Sequence, residues 1–425
     1  MKYSIVTFGC RVNQADSFQI EEQLIASGGT ASDTRDADLI VVNTCSVTSS
    51  ADQGTRQIVR KIARENPSAR IVVTGCYATR RPDEVGALPG VVQIVPNDRK
   101  DQFAQEIGLT TAERFGDGDG ACGAEIAPGL AGRTAFTLRV QTGCDQTCSY
   151  CIIPSTRGKG RSRPIDAVLA EVDRVKDASY REIAITGVHL GSYGRDLADG
   201  STLLELLRAI ERRASGMRIR ISSLEPMDCS DEIVELVAAS PCFAPHFHLP
   251  LQHASDRMLV AMRRPYTLAY YRRLVDRIRD HIPHASIGTD IIVGFPGETD
   301  DDFAVLEAYL RDSAITHAHV FPYSDRPGTA ATELPHKVHG SIVRERANIV
   351  RGIGRDLNQR FQGAQHGTIR PALTIEDGSL VVTDNYLKLR IPAGRSRNEW
   401  LDVRVCVAGG QLTGEPITTT PPSVR

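Results

Sequence analysis

Three closely spaced cysteines are the first sign of chemistry in this sequence. Cys144, Cys148 and Cys151 lie in the segment VQTGCDQTCSYCIIPSTRG, where a strand is expected to end in a short loop. Thiolates are the preferred ligands of iron-sulfur clusters, and one compact loop can present all three to a single cubane. Three ligands leave the fourth iron open to chelate S-adenosylmethionine (SAM) through its amino and carboxylate groups. The spacing therefore predicts a [4Fe-4S] cluster that cleaves SAM to a radical.

Two other uses of these thiols fit the sequence less well. A structural zinc site takes four closed ligands, commonly as two CxxC pairs, and the sequence has no second pair. Cys148 and Cys151 alone match a thioredoxin-like dithiol, but the upstream Cys144 and the position after the first barrel strand argue against that interpretation.

A second set of cysteines shares a position relative to predicted strands. Cys10, Cys45 and Cys76 each follow a strand, in TFGC, VNTC and VTGC. Any one of them is most simply a buried core cysteine. Ligand sites in doubly wound sheets gather at the carboxyl ends of the strands, so the threefold repetition favours a common site. Four further cysteines share no such pattern and are assigned no role: Cys122, Cys229, Cys242 and Cys406.

Length and composition restrict the class of protein. A chain of 425 residues exceeds one ordinary core, so two or three folded units are expected. Apolar residues make up 41% and charged residues 24%, and no long apolar run predicts a membrane span. The segment MKYSIVTFGCRVNQ reads as a strand entering a turn rather than a signal peptide, which favours the cytoplasm. With a net charge of -2, any nucleic-acid binding must come from a local basic patch.

The order of predicted elements indicates an α/β protein in three parts. Strands at 3–8, 38–43, 70–74 and 91–95 alternate with helices and predict an N-terminal doubly wound parallel α/β domain over residues 1–112. A glycine-rich segment predicts a linker at 113–133. Residues 134–362 predict a partial (β/α)6 barrel with a trailing helix, and 363–425 a small β-barrel. The barrel strands are expected at 137–141, 182–186, 218–222, 246–250, 286–293 and 316–321.

Eight motifs span nearly the whole chain. They are TFGCRVNQADS, VVNTCSVTSSAD, VVTGCYA, GCDQTCSYCIIPSTRG, AITGVHLGSYG, HLPLQHASDRMLVAMRRPYT, TDIIVGFPGETDDDF and HVFPYSDRPGTAA. Together they resemble the radical SAM methylthiotransferases. The resemblance implies an N-terminal methylthiotransferase domain, a radical SAM barrel and a TRAM-like C-terminal barrel. It also implies that Cys10, Cys45 and Cys76 hold a second [4Fe-4S] cluster that takes part in sulfur transfer.

Two of these motifs look like one branch of the family. GCRVNQADS and NTCSVTSSAD resemble the branch that modifies tRNA threonylcarbamoyladenosine beside the anticodon. The isopentenyladenosine branch usually carries GCQMN and NTCxxRE, and the branch acting on a ribosomal protein aspartate carries GCPKN. Thr142 stands where Asp is common, and His253 with Ala254 where Ser-Gly is frequent, which leaves fine substrate contacts open.

The resemblance implies a mechanism with two clusters and two SAM molecules. A 5'-deoxyadenosyl radical takes hydrogen from adenosine C2, and a methylated sulfur from the second cluster then attaches to that carbon. The implied partners are a tRNA substrate and an electron donor such as flavodoxin or ferredoxin, with no membrane. No protein acid or base is expected to be catalytic, because the cofactors carry the bond-making.

Five residues at predicted strand ends are candidates for SAM contact. Gly187 follows the second barrel strand, where its backbone can meet the SAM amino group, although a tight turn explains it equally well. Ser223 and Glu225 resemble family positions near SAM, while Glu225 also fits a solvated loop acid. Gln252 and Gly294 lie at later strand ends with the same two interpretations.

A basic run follows the cysteine loop. Arg157, Lys159, Arg161 and Arg163 have no acid between them, and such runs are often only solvated faces. Their position beside the predicted cluster favours contact with RNA phosphates. In PHFHLPLQH, strand alternation puts two histidines on one face, but a packed or hydrogen-bonded role is favoured over iron ligation for all three: His246, His248 and His253.

Three functions follow from these patterns. The first is a tRNA methylthiotransferase acting on threonylcarbamoyladenosine. The second is the same chemistry on isopentenyladenosine tRNA or on a ribosomal protein aspartate. The third belongs to another class, a non-enzymatic iron-sulfur protein that binds RNA or senses redox state.

Overall fold

The computed structural model describes residues 1–109, 128, 134–408 and 411–417. Apart from residue 128, the predicted linker at 113–133 lies outside the described residues. The described chain forms an N-terminal parallel α/β sheet, a six-stranded parallel barrel and a closed antiparallel-rich β-barrel. The predicted fold class is therefore confirmed. Within the described residues, no helix is long and apolar enough to cross a membrane.

The N-terminal domain is a five-stranded parallel sheet of order β2-β1-β3-β4-β5. Apolar residues alternate along β3, so Ile40 and Val42 pack beneath α2, whereas Leu39 and Val41 pack on α1. Helices thus cover both faces, as in a doubly wound sheet. The elements are β1 (Lys2–Thr7), α1 (Arg11–Ala26), β2 (Thr30–Ala31), β3 (Leu39–Thr44), α2 (Ser49–Glu65), β4 (Arg70–Gly75), α3 (Cys76–Arg80), α4 (Pro82–Gly86), β5 (Val91–Val95) and α5 (Phe103–Glu106).

The strand order reverses between β1 and β3, because the chain builds outward in opposite directions from these two neighbours. In doubly wound sheets, ligands bind at this switch point beyond the carboxyl ends of the strands. Cys10 lies three residues beyond the end of β1, Cys45 directly follows β3, and Cys76 directly follows β4. The topology therefore brings the three predicted ligands to one edge of the sheet.

The central domain is an incomplete barrel of six parallel strands. Two three-stranded sheets, β10-β9-β6 and β11-β12-β13, are joined by the isolated bridges Ile219–Phe243 and Ser223–His248. Within the described chain the outer strands β6 and β13 do not pair, which leaves one side of the barrel open. Its elements are β6 (Phe136–Arg139), β7 (Gln141–Thr142), α6 (Ile153–Arg157), β8 (Arg161–Ser162), α7 (Ile165–Asp177), β9 (Glu182–Thr186), α8 (Leu203–Arg213), β10 (Arg218–Ile221), α9 (Asp231–Ala239), β11 (His246–His248), α10 (Asp256–Ala261), α11 (Leu268–His281), β12 (Ser286–Val293), α12 (Asp300–Asp312) and β13 (His317–Pro322).

A long helix connects this barrel to the C-terminal one. The helix α13 (Gly340–Gln365) runs three residues past the predicted boundary at 362. The closed C-terminal barrel has the order β14-β15-β16-β18-β17. Arg220 at the base of the central barrel donates to the carbonyl oxygens of Thr383 and Asp384, which fixes a C-terminal loop there. The strands are β14 (Ile369–Ile375), β15 (Leu380–Thr383), β16 (Lys388–Arg390), β17 (Trp400–Ala408) and β18 (Gln411–Pro416).

One buried carboxylate fixes the N-terminal domain to the first barrel strand. Asp16 of α1 is fully buried and accepts from Lys100 Nζ at 2.8 Å, Arg139 of β6 at 2.6 Å and Arg157 at 2.8 Å. Burial by itself raises the pKa of Asp16, but the three cations outweigh it and hold the pKa far below its usual range. Beside them, Phe18 stacks on Phe136 with ring centroids 6.3 Å apart.

A second buried carboxylate fixes the other side. Asp52 of α2 accepts from Arg326, which follows β13, and from Arg80 of its own domain, both at 2.7 Å. Ser49 and Ser324 share a further hydrogen bond of 3.1 Å. The N-terminal domain therefore contacts the barrel at β6 and again just after β13, which are its two outer strands. In this position the domain covers the open side of the barrel.

Removal of the first carboxylate should loosen this docking. Asp16→Asn leaves the buried Lys100 and Arg157 without an acid partner in the described chain and Arg139 with only the exposed Asp101, so we expect the free energy of unfolding to fall by about 3–5 kcal/mol. Urea denaturation measures the change. Asp98→Asn, which alters an exposed acid of the same domain, is the control and should change little. An unchanged midpoint for the Asp16 variant would contradict the proposed role of this carboxylate.

Candidate active site

The predicted cluster loop is held by backbone contacts. Gly143 adopts a φ of +73°, and a Cβ there would lie 1.8 Å from the carbonyl oxygen of Lys159, so only glycine fits. The Cys144 amide donates to the Gly158 carbonyl at 3.0 Å, and Cys151 donates to Cys148 at 3.1 Å. The three cysteines line one cavity of about 430 Å³. The loop therefore presents all three thiols to a common space, as the spacing predicts.

Charged side chains surround this loop. Arg264 donates to Cys148 Sγ at 3.1 Å and is ion-paired with Glu225. His189 hydrogen-bonds Asp228 at 2.8 Å. Burial disfavours its protonated form, yet the bonds to Asp228 and Cys144 raise the pKa of His189 to about 9. Burial also raises the pKa of Cys151 to about 12, so thiolates in this pocket need a compensating positive centre such as iron.

The second cysteine trio converges at the sheet edge. Gly9 precedes Cys10 with a φ of +94°, and a Cβ there would lie 2.6 Å from Cys45 Cβ, so the two turns touch. Gly75 precedes Cys76 in a similarly tight turn, because a Cβ added at Gly75 would lie 2.2 Å from the backbone oxygen of Thr44. Burial, and then the proximity of the other two thiols, raise the pKa of Cys45 to about 11.

Positive charge lies beside this second trio. Burial disfavours the charge on Arg157, but Asp16, Cys76 and Cys10 raise the pKa of its guanidinium. Asn97 also donates to Cys76 Sγ at 3.7 Å. Lys100, Arg139 and Arg157 face two carboxylates, the buried Asp16 and the exposed Asp101, which leaves one positive charge in excess and suits an anionic group such as a thiolate-bound cluster.

The described cysteines are not arranged as the ligands of a single metal ion. Across the described parts of the chain, no three His, Cys, Asp or Glu side chains lie close enough to hold a single metal ion. A cubane binds each thiolate through a different iron, so its ligands lie farther apart than those of one zinc.

A second cavity, of about 180 Å³, is lined by residues of both domains. Cys151, Gln252 and Asp290 line it from the barrel, whereas Val47 and Thr48, just after Cys45, line it from the N-terminal domain. The cavity thus lies at the junction of the two domains and reaches toward both cysteine sets.

Comparisons with known proteins agree with this arrangement. The profile of the Radical SAM superfamily matches residues 138–310, and that of the Uncharacterized protein family UPF0004 matches residues 2–96. The threonylcarbamoyladenosine tRNA methylthiotransferase MtaB of Bacillus subtilis (strain 168) is 33% identical over 400 residues, covering 90% of this chain and 88% of that protein. The chain belongs to the radical SAM methylthiotransferase family. The predicted family is thereby confirmed, and with it an enzyme that uses SAM and an iron-sulfur cofactor.

Other matches extend over similar lengths. The ribosomal protein uS12 methylthiotransferase RimO of Desulfotalea psychrophila (strain LSv54 / DSM 12343) is 32% identical over 435 residues, covering 98% of this chain and 95% of that protein. The solved radical S-adenosylmethionine methyltransferase TsrM from Kitasatospora setae has a TM-score of 0.56 at 16% identity, covering 78% of this chain and 74% of that one. The last match shows a shared fold.

The SAM candidates of this methylthiotransferase fall into different environments. Gln252 lines the central cavity with Cys151 and has a φ of +68°, a strained conformation for a non-glycine residue. Glu225 is ion-paired with Arg264 beside the cluster loop rather than solvated. Gly187 packs on Gln141 at the start of that loop.

The other two SAM candidates contact elements other than the cluster loop. Ser223 is exposed and bridges to β11. Gly294 is required for packing, because a Cβ there would lie 2.4 Å from Val343 of α13. Its amide already donates to Glu298 at 2.7 Å. Because the backbone of Gly294 is already occupied by these protein contacts, they do not favour its binding to SAM. That binding stays a prediction.

The basic run divides in the structure, and one of its members corrects the sequence prediction. Arg157 is buried and donates to Asp16 and to Asn13, so its guanidinium is not available to an RNA phosphate. Arg163 donates to two backbone carbonyls and is half-buried. Lys159 and Arg161 are exposed, and Lys159 lines the cluster cavity. Of the four basic residues, only Lys159 and Arg161 are exposed, as a contact with an RNA phosphate requires.

The sequence did not reveal several residues that position the site. Asn13 donates to the carbonyl oxygens of Phe8 and Thr44 and so ties together the strand ends that carry Cys10 and Cys45. Its place in GCRVNQ, three residues after the cysteine, was the available signal. Arg264 carried no such signal, because its contact with Cys148 spans 116 residues.

A pair of glycines tests the geometry of the loop. Gly143→Ala and Gly216→Ala both place alanine at a positive φ, at a cost of about 1 kcal/mol each. Only Gly143→Ala also forces the backbone apart, since nothing lies within 4 Å of a Cβ at Gly216, which lies outside the cluster loop. We expect the first variant to lose iron and SAM cleavage and the second to keep both. Equal iron contents, measured anaerobically, would rule out this requirement at Gly143.

Proposed function

We propose that this enzyme adds a methylthio group to C2 of N6-threonylcarbamoyladenosine next to the anticodon of tRNA. The motifs GCRVNQADS and NTCSVTSSAD resemble that branch. The relative from Bacillus subtilis named for this substrate is 33% identical over nearly the whole chain. A ribosomal protein methylthiotransferase is 32% identical over a similar length, so a ribosomal aspartate is the second candidate substrate.

The observation that carries the proposal is a cavity at the domain junction that both cysteine-bearing domains line. Cys151 of the first trio lines it, and so do Val47 and Thr48, which follow Cys45 of the second trio by two and three residues. Removing hydrogen from a carbon and adding sulfur to the same carbon requires both reactive centres to reach one atom. A single cysteine site would not need a second domain across the barrel opening.

We assign one [4Fe-4S] cluster to Cys144, Cys148 and Cys151, and a second to Cys10, Cys45 and Cys76. When bound, the clusters and SAM supply the adenosyl radical, the sulfur and the methyl group. The chain itself orients these groups. Arg264 and His189 place donors beside the first trio, and the Asp16 and Asp52 clusters keep the second trio at a fixed position across the cavity.

An RNA substrate needs a contact surface outside the cavity. A polar groove of about 770 Å³ lies between β13, α13 and β17. Arg351 and Arg355 on exposed turns of α13 line it together with three side-chain amides. We assign this groove, with Lys159 and Arg161 near the cluster loop, to tRNA phosphates. The proposed electron donor is a flavodoxin or ferredoxin, and the proposed compartment is the cytoplasm.

The reaction and the two clusters are tested together. Anaerobic reconstitution should give about eight irons per chain and add SCH3 to threonylcarbamoyladenosine, read by mass spectrometry of tRNA. The triple variant Cys10→Ala/Cys45→Ala/Cys76→Ala should keep about four irons and SAM cleavage but lose sulfur insertion. Release of 5'-deoxyadenosine by the wild type excludes a non-enzymatic role, and loss of that release in Cys148→Ala ties it to the cluster loop.

Two other results would redirect the assignment. Modification of isopentenyladenosine tRNA or of a ribosomal protein aspartate, with no product on threonylcarbamoyladenosine, would keep the chemistry and refute the substrate. Retention of all the iron in the triple variant would refute the second cluster site.

The groove makes a separate prediction about salt. Arg351→Gln/Arg355→Gln removes two phosphate contacts, so tRNA binding should weaken and its dependence on salt concentration should fall by about two units of slope. Filter binding across a salt series measures both. Arg60→Gln/Arg64→Gln on the N-terminal domain is the matched control. An unchanged slope would remove the groove from the RNA interface.

A further inference from the structure

Four histidines lie together on β11 and β13 of the central barrel, close to Arg11 of the N-terminal domain. The rings of His248, His317 and His319 lie 5.4–6.1 Å apart between centroids, and His246 lies 6.3 Å from His317. The register explains the cluster, because β11 and β13 both pair with β12 at Gly288. A Cβ on that glycine would lie 2.2 Å from His317 Nε2 and 2.8 Å from His248 Nδ1.

The cluster is continuous with the central cavity. The carboxylate of Asp290, which lines that cavity, lies 3.1 Å from His248 Nε2 and 3.9 Å from His319 Nδ1. At the far end, the ring of His246 lies 4.6 Å from that of Tyr386 in the C-terminal barrel. A group attached to a base in the cavity therefore has a path toward these histidines.

Arg11 adds a positive charge to this space. It directly follows Cys10, donates to Ser222 at 3.2 Å and to Tyr386 OH at 2.9 Å, and makes no ion pair within the described residues. Its charge acts on both His246 and His319, since it lowers the pKa of each after burial has done so. Arg11 thus reaches from the second trio into the barrel without a carboxylate partner.

Two of the imidazoles are held in the neutral form, and one of them has an unused polar atom. Burial and the neighbouring rings lower the pKa of His317 to about 4, and burial, followed by the charge of Arg220, lowers the pKa of His246. His246 is 4% exposed, and its Nδ1 has no hydrogen-bond partner. A buried polar atom without a partner is costly, so this atom calls for a ligand or a water.

We infer that Arg11, His246, His317 and His319 form a subsite for the carboxylate of the substituent on N6 of the substrate adenosine. A carboxylate only accepts hydrogen bonds, and this subsite offers one guanidinium and several imidazole donors. The threonylcarbamoyl group carries such a carboxylate, whereas an isopentenyl group is apolar. The inference rests on the proposed function and adds a physical reason for its choice of substrate.

The test combines a protein change with a substrate change. One RNA stem-loop carries N6-threonylcarbamoyladenosine, and a second carries the same group with its carboxylate converted to a primary amide. Arg11→Gln should raise the Kd for the acid RNA by roughly tenfold to a hundredfold, as expected for a lost charged hydrogen bond. It should leave the Kd for the amide RNA unchanged. His319→Gln, at an exposed ring, should show the same pattern more weakly.

The controls separate this subsite from cluster binding and from the proposed function. Arg60→Gln, an exposed arginine of the same domain, should alter neither Kd. Iron content should be equal in all variants. If Arg11→Gln weakens both RNAs equally, or neither, the subsite is refuted. Turnover of the wild type is read separately, so tight binding of the acid RNA without SCH3 addition contradicts the proposed function and leaves the binding result intact.

Discussion

The docking of the N-terminal domain across the barrel opening is the constraint on which the rest of the structure depends. Two buried carboxylates hold it, Asp16 against the first barrel strand and Asp52 against the segment after the last. Each is paired with arginines from the barrel, so the domain is fixed at two separate places. Because the domain is fixed in this way, the segment that follows Cys45 and the loop that carries Cys151 stay at the same cavity.

The helix α1 links this docking to the chemistry. Cys10, Asn13 and Asp16 recur every three residues, which places them on one face of the helix toward the barrel. The first is a proposed iron ligand, the second joins two strand ends, and the third binds Arg157 and Arg139. The motif GCRVNQADS therefore contains the proposed ligand and also the residues whose contacts hold that ligand in position.

Strand positions were predictable from sequence, but contacts between distant residues were not. The apolar run over residues 286–293 predicted β12 at its observed bounds. The apolar pattern of β18, which contains Gly414 and Pro416, is too weak to predict a strand. Strand alternation put His246 and His248 on one face, yet their meeting with His317 and His319 depends on the pairing of β11, β12 and β13. Arg157 was misread because Asp16 is 141 residues away.

Local charge rather than net charge governs the second trio. The chain carries a net charge of -2, but Lys100, Arg139 and Arg157 face one buried carboxylate, Asp16, and one exposed carboxylate, Asp101, which leaves one positive charge in excess near Cys10 and Cys76. Thiolates bound to a cluster offset this excess, so a loaded site and a docked domain favour each other. Because such coupling is reciprocal, whatever stabilises the docked domain also strengthens the hold on the cluster. The cations that dock the N-terminal domain thus also favour binding of the proposed second cluster.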